Sequence, residues 1–312
     1  MAEEKIVTVN FENIGLGNVI WKIASAYGIS KKRNATFYFG ENPEEWQDIY
    51  GFCGPFPKLK PNDLQPDHYI SEKYPGIFEK KMFEEWRDYS HIRVGRYLQS
   101  RKYFAHCEKE VIEMFQPKKE HIDKANEWFK THGVNANDDK VCIHIRGGDM
   151  KNEPQILQDN DWFQKAINKM PSGAKIIIFS DDFDLVRSFS ALSNENHIFA
   201  ENNHMMLDFT LMTCCNIFIL SRGTFSWWAA FLSKNKKRVI YNNEFLNTEL
   251  NNNFLEYYPD NWELLDYKYI NYTNVSSIIK NKLILPIVSI PPIDFDIVCY
   301  LVISGLLIFL LQ

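Results

Sequence analysis

The residues with the clearest chemical capacity stand together at His144-Ile145-Arg146-Gly147-Gly148-Asp149, directly after the apolar run Val141-Cys142-Ile143. In an extended chain side chains alternate, so His144 and Arg146 share one face. A guanidinium stays charged and grips phosphate oxygens through two parallel donors, which suits a diphosphate. Gly147 and Gly148 have no side chain, so the backbone there can come close to a bound group. The local pattern leaves two alternatives open: an ion pair of Arg146 with Asp149, and a histidine satisfied inside the fold. A second group is Phe179-Ser180-Asp181-Asp182. Carboxylates in that position accept hydrogen bonds from a nucleoside, hold a metal, or cap the next helix. As an adjacent pair they depart from the DxD pattern of metal-dependent glycosyl transfer. A third is Ser221-Arg222-Gly223-Thr224-Phe225-Ser226-Trp227-Trp228. Hydroxyls and free N–H groups where a helix begins bind an anion without a metal, with plain N-capping by Thr224 or Ser226 as the alternative. Gly15-Leu16-Gly17 begins like a dinucleotide fingerprint, but the third glycine position is Ile20, which disfavours that site.

Short apolar runs and helical stripes must position these groups. Residues 5–11 read as a strand, and Val19, Ile20, Ile23, Ala24 and Tyr27 recur at helical spacing. Gly28 and Lys31-Lys32-Arg33 are expected to close that helix, and residues 35–39 form a second strand. Residues 40–64 read as loop, and 97–115 and 121–132 as helices. The second half alternates more regularly. Strands are expected at Lys140–Ile145, 175–179, 197–199, Ile217–Leu220 and Arg238–Tyr241. Helices are expected at 162–170, 185–192, 208–215 and 224–233. This order predicts an α/β doubly wound architecture whose strand ends carry the chemistry. The polar stretch 133–139 is expected to divide a first domain, 1–135, from a second, 136–275, with an apolar tail at 276–312.

Composition narrows the classes further. Of 312 residues 45% are hydrophobic and 24% charged, as in a core-forming protein. A net charge of −5 argues against a general nucleic-acid binder. The six cysteines lack CxxC spacing, and no His, Cys and Asp cluster has metal-ligand spacing, so no metal and no cofactor are expected. Cys142 reads as a buried small hydrophobe. Sequons begin at Asn34, Asn271 and Asn274, little more than the roughly two that chance supplies at this composition. No signal peptide precedes the first strand. Residues 297–311 are an uncharged apolar run of 15, short of the ~20 of a spanning helix, and mark a possible membrane association.

Taken together, these motifs resemble the alpha-1,2-fucosyltransferase family. His144-Ile145-Arg146-Gly147-Gly148-Asp149 is similar to the family's His-x-Arg-Arg-x-Asp motif, and Ser180-Asp181-Asp182 to its aspartate strand end. Residues 208–232 are similar to its last conserved block, and Gly15-Leu16-Gly17-Asn18 to its opening glycine loop. The resemblance implies a GT-B-like fold, two Rossmann-type domains facing a cleft, with the donor GDP-fucose on the second and a glycan bearing terminal galactose as acceptor. It implies inverting, metal-independent transfer. Arg146, His144 and Asp149 are then the catalytic candidates, with His144 and Asp149 both open as general base. Asp181, Asp182 and Asp208 would hold the nucleotide or brace its loops, while Thr224, Phe225 and Ser226 would meet the diphosphate. Gly15, Gly17 and Asn18 would line the cleft. The family's second arginine is Gly147 here, so one charge is missing, and restoring it is expected to tighten GDP binding if the space is open. Animal members are Golgi membrane glycoproteins, which extends that expectation to this chain. Two competing readings are a catalytically weakened GDP-sugar or glycan binder on the same fold and an NAD-type Rossmann oxidoreductase.

Overall fold

The computed structural model describes residues 4–11, 14–39, 48–56, 58–59, 65–73, 76–84, 89–148, 159–221, 223–242 and 257–265. These all belong to one compact unit, Met1–Tyr267. The apolar run 297–311 and the sequons at Asn271 and Asn274 lie outside the described residues. Among the described residues no helix is long and apolar enough to cross a membrane.

The first half builds a parallel five-stranded sheet. Its strands are β1 (Ile6–Val9), β2 (Thr36–Phe39), β3 (Lys58–Leu59), β4 (His68–Ser71) and β5 (His91–Gly95), in the order β3-β2-β1-β5-β4. Helix α1 (Leu16–Arg33) links β1 to β2, followed by α2 (Lys81–Glu84), α3 (Glu108–Met114) and α4 (Lys119–Thr131). The second half builds a parallel six-stranded sheet from β6 (Lys140–Ile145), β7 (Lys175–Ser180), β8 (Ile198–Phe199), β9 (Ile217–Leu220), β10 (Arg238–Tyr241) and β11 (Glu263–Leu264), ordered β11-β10-β9-β6-β7-β8. Helices α5 (Asn160–Ile167), α6 (Phe183–Ser188), α7 (Met205–Thr213) and α8 (Thr224–Leu232) connect them. Residues 133–139 lie between α4 and β6.

All six residues of β6 are buried, as a parallel strand covered on both faces requires. Alternation splits them: Val141, Ile143 and Ile145 enter one core with Trp162, Phe163 and Ile178, under α5 and α6. Cys142 enters a larger core that also contains Val7, Ile20 and Trp21 from the first half. His144 and Arg146 therefore point towards that shared core. Trp21 of α1 is fully buried at its centre, 4.4 Å from Trp227 and 5.0 Å from Trp228 between ring centroids. The two sheets are joined by packing of α1 on α8.

One expectation holds in part and another fails, for one reason. Helix α1 closes at the basic Lys31-Lys32-Arg33, with Asn34 as its exposed left-handed C-cap, while Gly28 lies inside it. Residues 97–115 are not one helix: Leu98 adopts φ 54°, 3-10 turns follow at Arg101–Tyr103 and Ala105–Cys107, and only α3 is helical. The turns run across α1 at Gly28, where a Cβ would stand 2.2 Å from the Tyr103 carbonyl oxygen. The glycine that suggests a helix end is a crossing point. Strands β4 and β5 are also absent from the sequence reading: HYIS lacks a clean alternation, and HIRVG alternates over only four residues with histidine and arginine on its polar face.

Gly28→Ala tests this crossing. In a free helix alanine would add about 1 kcal/mol, but overpacking against backbone costs about 1–3 kcal/mol and more when nothing can yield. The expected net effect is a lowered urea midpoint. A raised midpoint would show that the crossing is loose.

Candidate active site

In an open parallel sheet ligands lie outside the carboxyl ends of strands, where the strand order reverses. In the second sheet this switch falls between β6 and β9, which are paired in register from Val141–Ile217 to His144–Leu220. His144 and Arg146 are delivered to that edge by β6, Ser221 by β9 and Asn242 by β10. Helix α8 opens there after Gly223, whose φ of 148° is open to glycine and strained for other residues.

Several polar atoms at this edge are buried without a hydrogen-bond partner: His144 Nδ1, Ser221 Oγ, Ser226 Oγ and Asn242 Nδ2. Each such atom costs about 1–3 kcal/mol, so their gathering at the ligand edge marks a place where a polar molecule completes the bonding. Ser221 opens the third motif of the sequence reading, whereas Asn242 is a functional candidate that the reading does not single out. Its signal was position alone, one residue beyond the register pair Leu220–Tyr241.

Helix starts supply the charge. Neither α1 nor α8 has a side-chain cap or an acidic residue in its first turn, so the partial positive charge of each end is uncompensated. The two ends also touch. A Cβ on Gly17 would lie 2.6 Å from Thr224 Oγ1 and from the Phe225 amide nitrogen. Gly17 is therefore filled by α8 and does not cradle a dinucleotide. Gly15 beside it is exposed, with open space where its Cβ would be. Asn18, half-buried in the same turn, accepts from Gln99 Nε2 at 2.9 Å.

The carboxylates divide by role. Asp181 Oδ1 accepts from the Gly147 and Gly148 amides at 2.7 and 3.2 Å, bracing the glycine loop. Asp182 caps α6 through the Leu185 amide at 3.0 Å. Asp208 lies in the first turn of α7 and accepts from Asn203 at 2.9 Å; burial raises its carboxyl to about 6, against the lowering effect of Asn203 and His204. The Phe225 ring packs between His144 and Phe209, at 5.7 and 5.1 Å. Asp149 and Arg222 lie outside the described residues. Among the described residues no group of three or more His, Cys, Asp or Glu could hold a metal ion. A cavity of about 630 Å³ lined by Phe129, Lys140 and Cys214 opens at the amino-terminal edge of the same sheet. It is remote from these groups, and strand-end chemistry is the better guide.

Burial holds the His144 imidazole well below its usual value, to about 4; Asp181 opposes this shift and Arg146 adds to it. His144 is neutral at pH 7 and a weak base. A histidine with its pKa lowered by folding leaves the unfolded state binding more protons, so stability is lost as pH falls from 6.5 towards 4. Relative to His144→Gln, the wild type should lose on the order of 3 kcal/mol between pH 7 and pH 4, read by urea unfolding at each pH. A difference that stays constant with pH would refute the buried neutral imidazole.

Position 147 corrects an expectation. A Cβ there would stand 2.5 Å from Asp182 Cβ and 2.9 Å from Leu185 Cδ2. The position faces the start of α6, and an arginine has no room. Gly147→Arg should lower the melting point, with loss of about 1–3 kcal/mol from overpacking, and should not tighten GDP binding in calorimetry. A well-folded variant with tighter binding would overturn this placement.

Comparison with known proteins places this geometry. The model of the family described as Glycosyl transferase family 11 matches residues 68–266. The Caenorhabditis elegans protein svh-11, provisionally named a galactoside 2-alpha-L-fucosyltransferase, is 25% identical over 82% of this chain and 78% of its own length. Among solved structures, the alpha-1,6-fucosyltransferase NodZ from Bradyrhizobium, in crystals soaked with GDP-fucose, superposes with a TM-score of 0.52 at 13% identity, covering 77% of this chain and 95% of its own. A glycosyl transferase family 9 protein from Veillonella parvula reaches 0.53 at 14% identity over 92% of both chains. These likenesses show the fold, a GT-B-like α/β arrangement of two Rossmann-type halves.

Proposed function

This chain belongs to glycosyl transferase family 11, and from that premise we propose that it is a fucosyltransferase moving L-fucose from GDP-fucose to a galactose hydroxyl of a glycan. The linkage is alpha-1,2, transfer inverts the anomeric centre, and no metal ion takes part. The family match and the named relative support fucosyl transfer and the linkage. One observation carries the mechanism: two uncapped helix starts meet beside a strand edge bearing Arg146 and unpartnered polar groups.

The acceptor oxygen attacks the fucose anomeric carbon from the face opposite GDP. The bond from that carbon to the β-phosphate oxygen breaks, and its electron pair leaves with GDP. Charge then grows on the diphosphate. The α1 and α8 ends and the Arg146 guanidinium stabilise it where other transferases use a cation. Ser226 and Ser221 offer hydroxyl donors. Neutral His144 serves as a hydrogen-bonding group to the donor, because a base of pKa about 4 takes a proton poorly at neutral pH. The acceptor proton passes to a carboxylate, for which Asp149 is the candidate by resemblance.

Turnover of GDP-fucose with a galactoside acceptor tests this reading directly. Product should form equally with and without EDTA. Arg146→Lys keeps the charge but loses the bidentate fork, and turnover should fall by roughly 10²-fold. Activity abolished by EDTA and restored by Mn²⁺ would reject metal independence. GDP binding without any turnover would leave a nucleotide-sugar binder on this fold.

A further inference from the structure

At the carboxyl end of β4 stands a carboxylic acid that the proposed chemistry does not use. Glu72 is 2% exposed. Its Oε2 accepts from the Leu98 amide at 2.7 Å, while Oε1 is buried without a hydrogen-bond partner. The turn it holds is unusual: Arg96 and Leu98 both have positive φ, 65° and 54°, a region costly for residues with a Cβ. Such strain persists only where surrounding contacts impose it, and it gathers at working sites. The next residue, Gln99, donates to Asn18 in the first turn of α1, whose neighbour Gly17 touches the start of α8. A chain of contacts thus runs from Glu72 through Leu98, Gln99 and Asn18 to the lip of the donor site.

We propose that Glu72 is a positioning residue which fixes the 96–99 turn and, through Gln99 and Asn18, sets the lip of the donor site. This rests on the reading of the donor site given under the proposed function. The groups facing Glu72 are the Leu98 amide, the Glu79 carboxylate, the Tyr103 hydroxyl and the Arg96 guanidinium. Burial is the largest influence and raises its carboxyl to about 8; Glu79 adds to the rise, and Leu98, Tyr103 and Arg96 oppose it. Glu79 is itself tied to Lys81 at 2.8 Å and to the Lys73 amide. Ionisation places an uncompensated charge beside Glu79, and the strained turn is the element that gives way. With a folded value raised above the unfolded one, the order that Glu72 contributes is present at low pH and lost as pH rises through about 8.

Hydrogen exchange on the full chain tests this independently of turnover. Protection of the 96–99 amides, corrected for intrinsic rates, should drop about 10-fold in the wild type between pH 7 and pH 9. In Glu72→Gln, which keeps a neutral acceptor for Leu98, protection should stay level. Kinetically, Glu72→Ala should raise the GDP-fucose KM about 10-fold and leave the acceptor KM within about twofold, with Glu72→Gln restoring the GDP-fucose KM at pH 7. Equal loss of protection in wild type and Glu72→Gln overturns the proposal, as does a parallel rise of both KM values. If Glu72→Ala does not fold, the wild-type and Glu72→Gln exchange profiles decide alone. A chain that shows the exchange pattern but does not turn over GDP-fucose refutes the fucosyl-transfer reading and leaves the turn's dependence on Glu72 standing.

Discussion

The contact between the first turns of α1 and α8 is the constraint on which the remaining structure depends. Helix starts rarely approach so closely, because side chains keep axes about 8–10 Å apart. Here Gly17 removes the obstacle, and Trp21, one turn later, fills the space beside Trp227 and Trp228. The same contact settles what the glycine loop after β1 does. It places Asn18 beside α8 and leaves only Gly15 open. A Rossmann-like opening has been turned into a docking point for the other half.

Bringing two like helix ends together has an electrostatic cost, and so has burying polar atoms without partners. Natural structures accept such costs at working sites. Four of the unpartnered atoms, on His144, Ser221, Ser226 and Asn242, gather with the two helix starts near the β6–β9 switch point, while others, such as Glu72 Oε1 and Ser100 Oγ, lie in the first half. Asp181 and Asp182 spend their oxygens on the backbone, holding the glycine loop and the start of α6 at fixed heights. The edge is therefore prearranged by carboxylates that stay at its surface, Asp181 exposed and Asp182 half-buried.

Much of the second half was legible in sequence because buried parallel strands write themselves as short unbroken apolar runs. β6, β9 and β10 are read with their ends in place, and so is the strand-end position of Arg146. The first half was harder. HYIS and HIRVG mix polar and apolar residues because His91 is satisfied by Thr8 and by the Gln65 carbonyl, a pairing invisible locally. Residues 97–115 have helical composition, and a left-handed Leu98 held by the Glu72 carboxyl group, 26 residues away, overrules it. Gly147 stands where the resemblance expects an arginine, and only the position of Asp182 reveals why a side chain does not fit. Local propensity fails where a distant side chain dictates the backbone.

The tryptophan joint also limits how the molecule can move. Hinge opening of one half against the other would have to draw Trp21 away from Trp227 and Trp228, all three of them essentially inaccessible to solvent. Each indole buries about 150–250 Å², which at about 25 cal/mol per Å² amounts to about 4–6 kcal/mol. That figure is the cost of exposing an indole completely; parting α1 from α8 exposes only the faces that Trp21 shares with Trp227 and Trp228, since Trp227 keeps Phe231 and Tyr257 and Trp21 keeps Phe104. Any hinge motion that separates the two helices therefore carries a cost in exposed aromatic surface that motion elsewhere in the molecule does not.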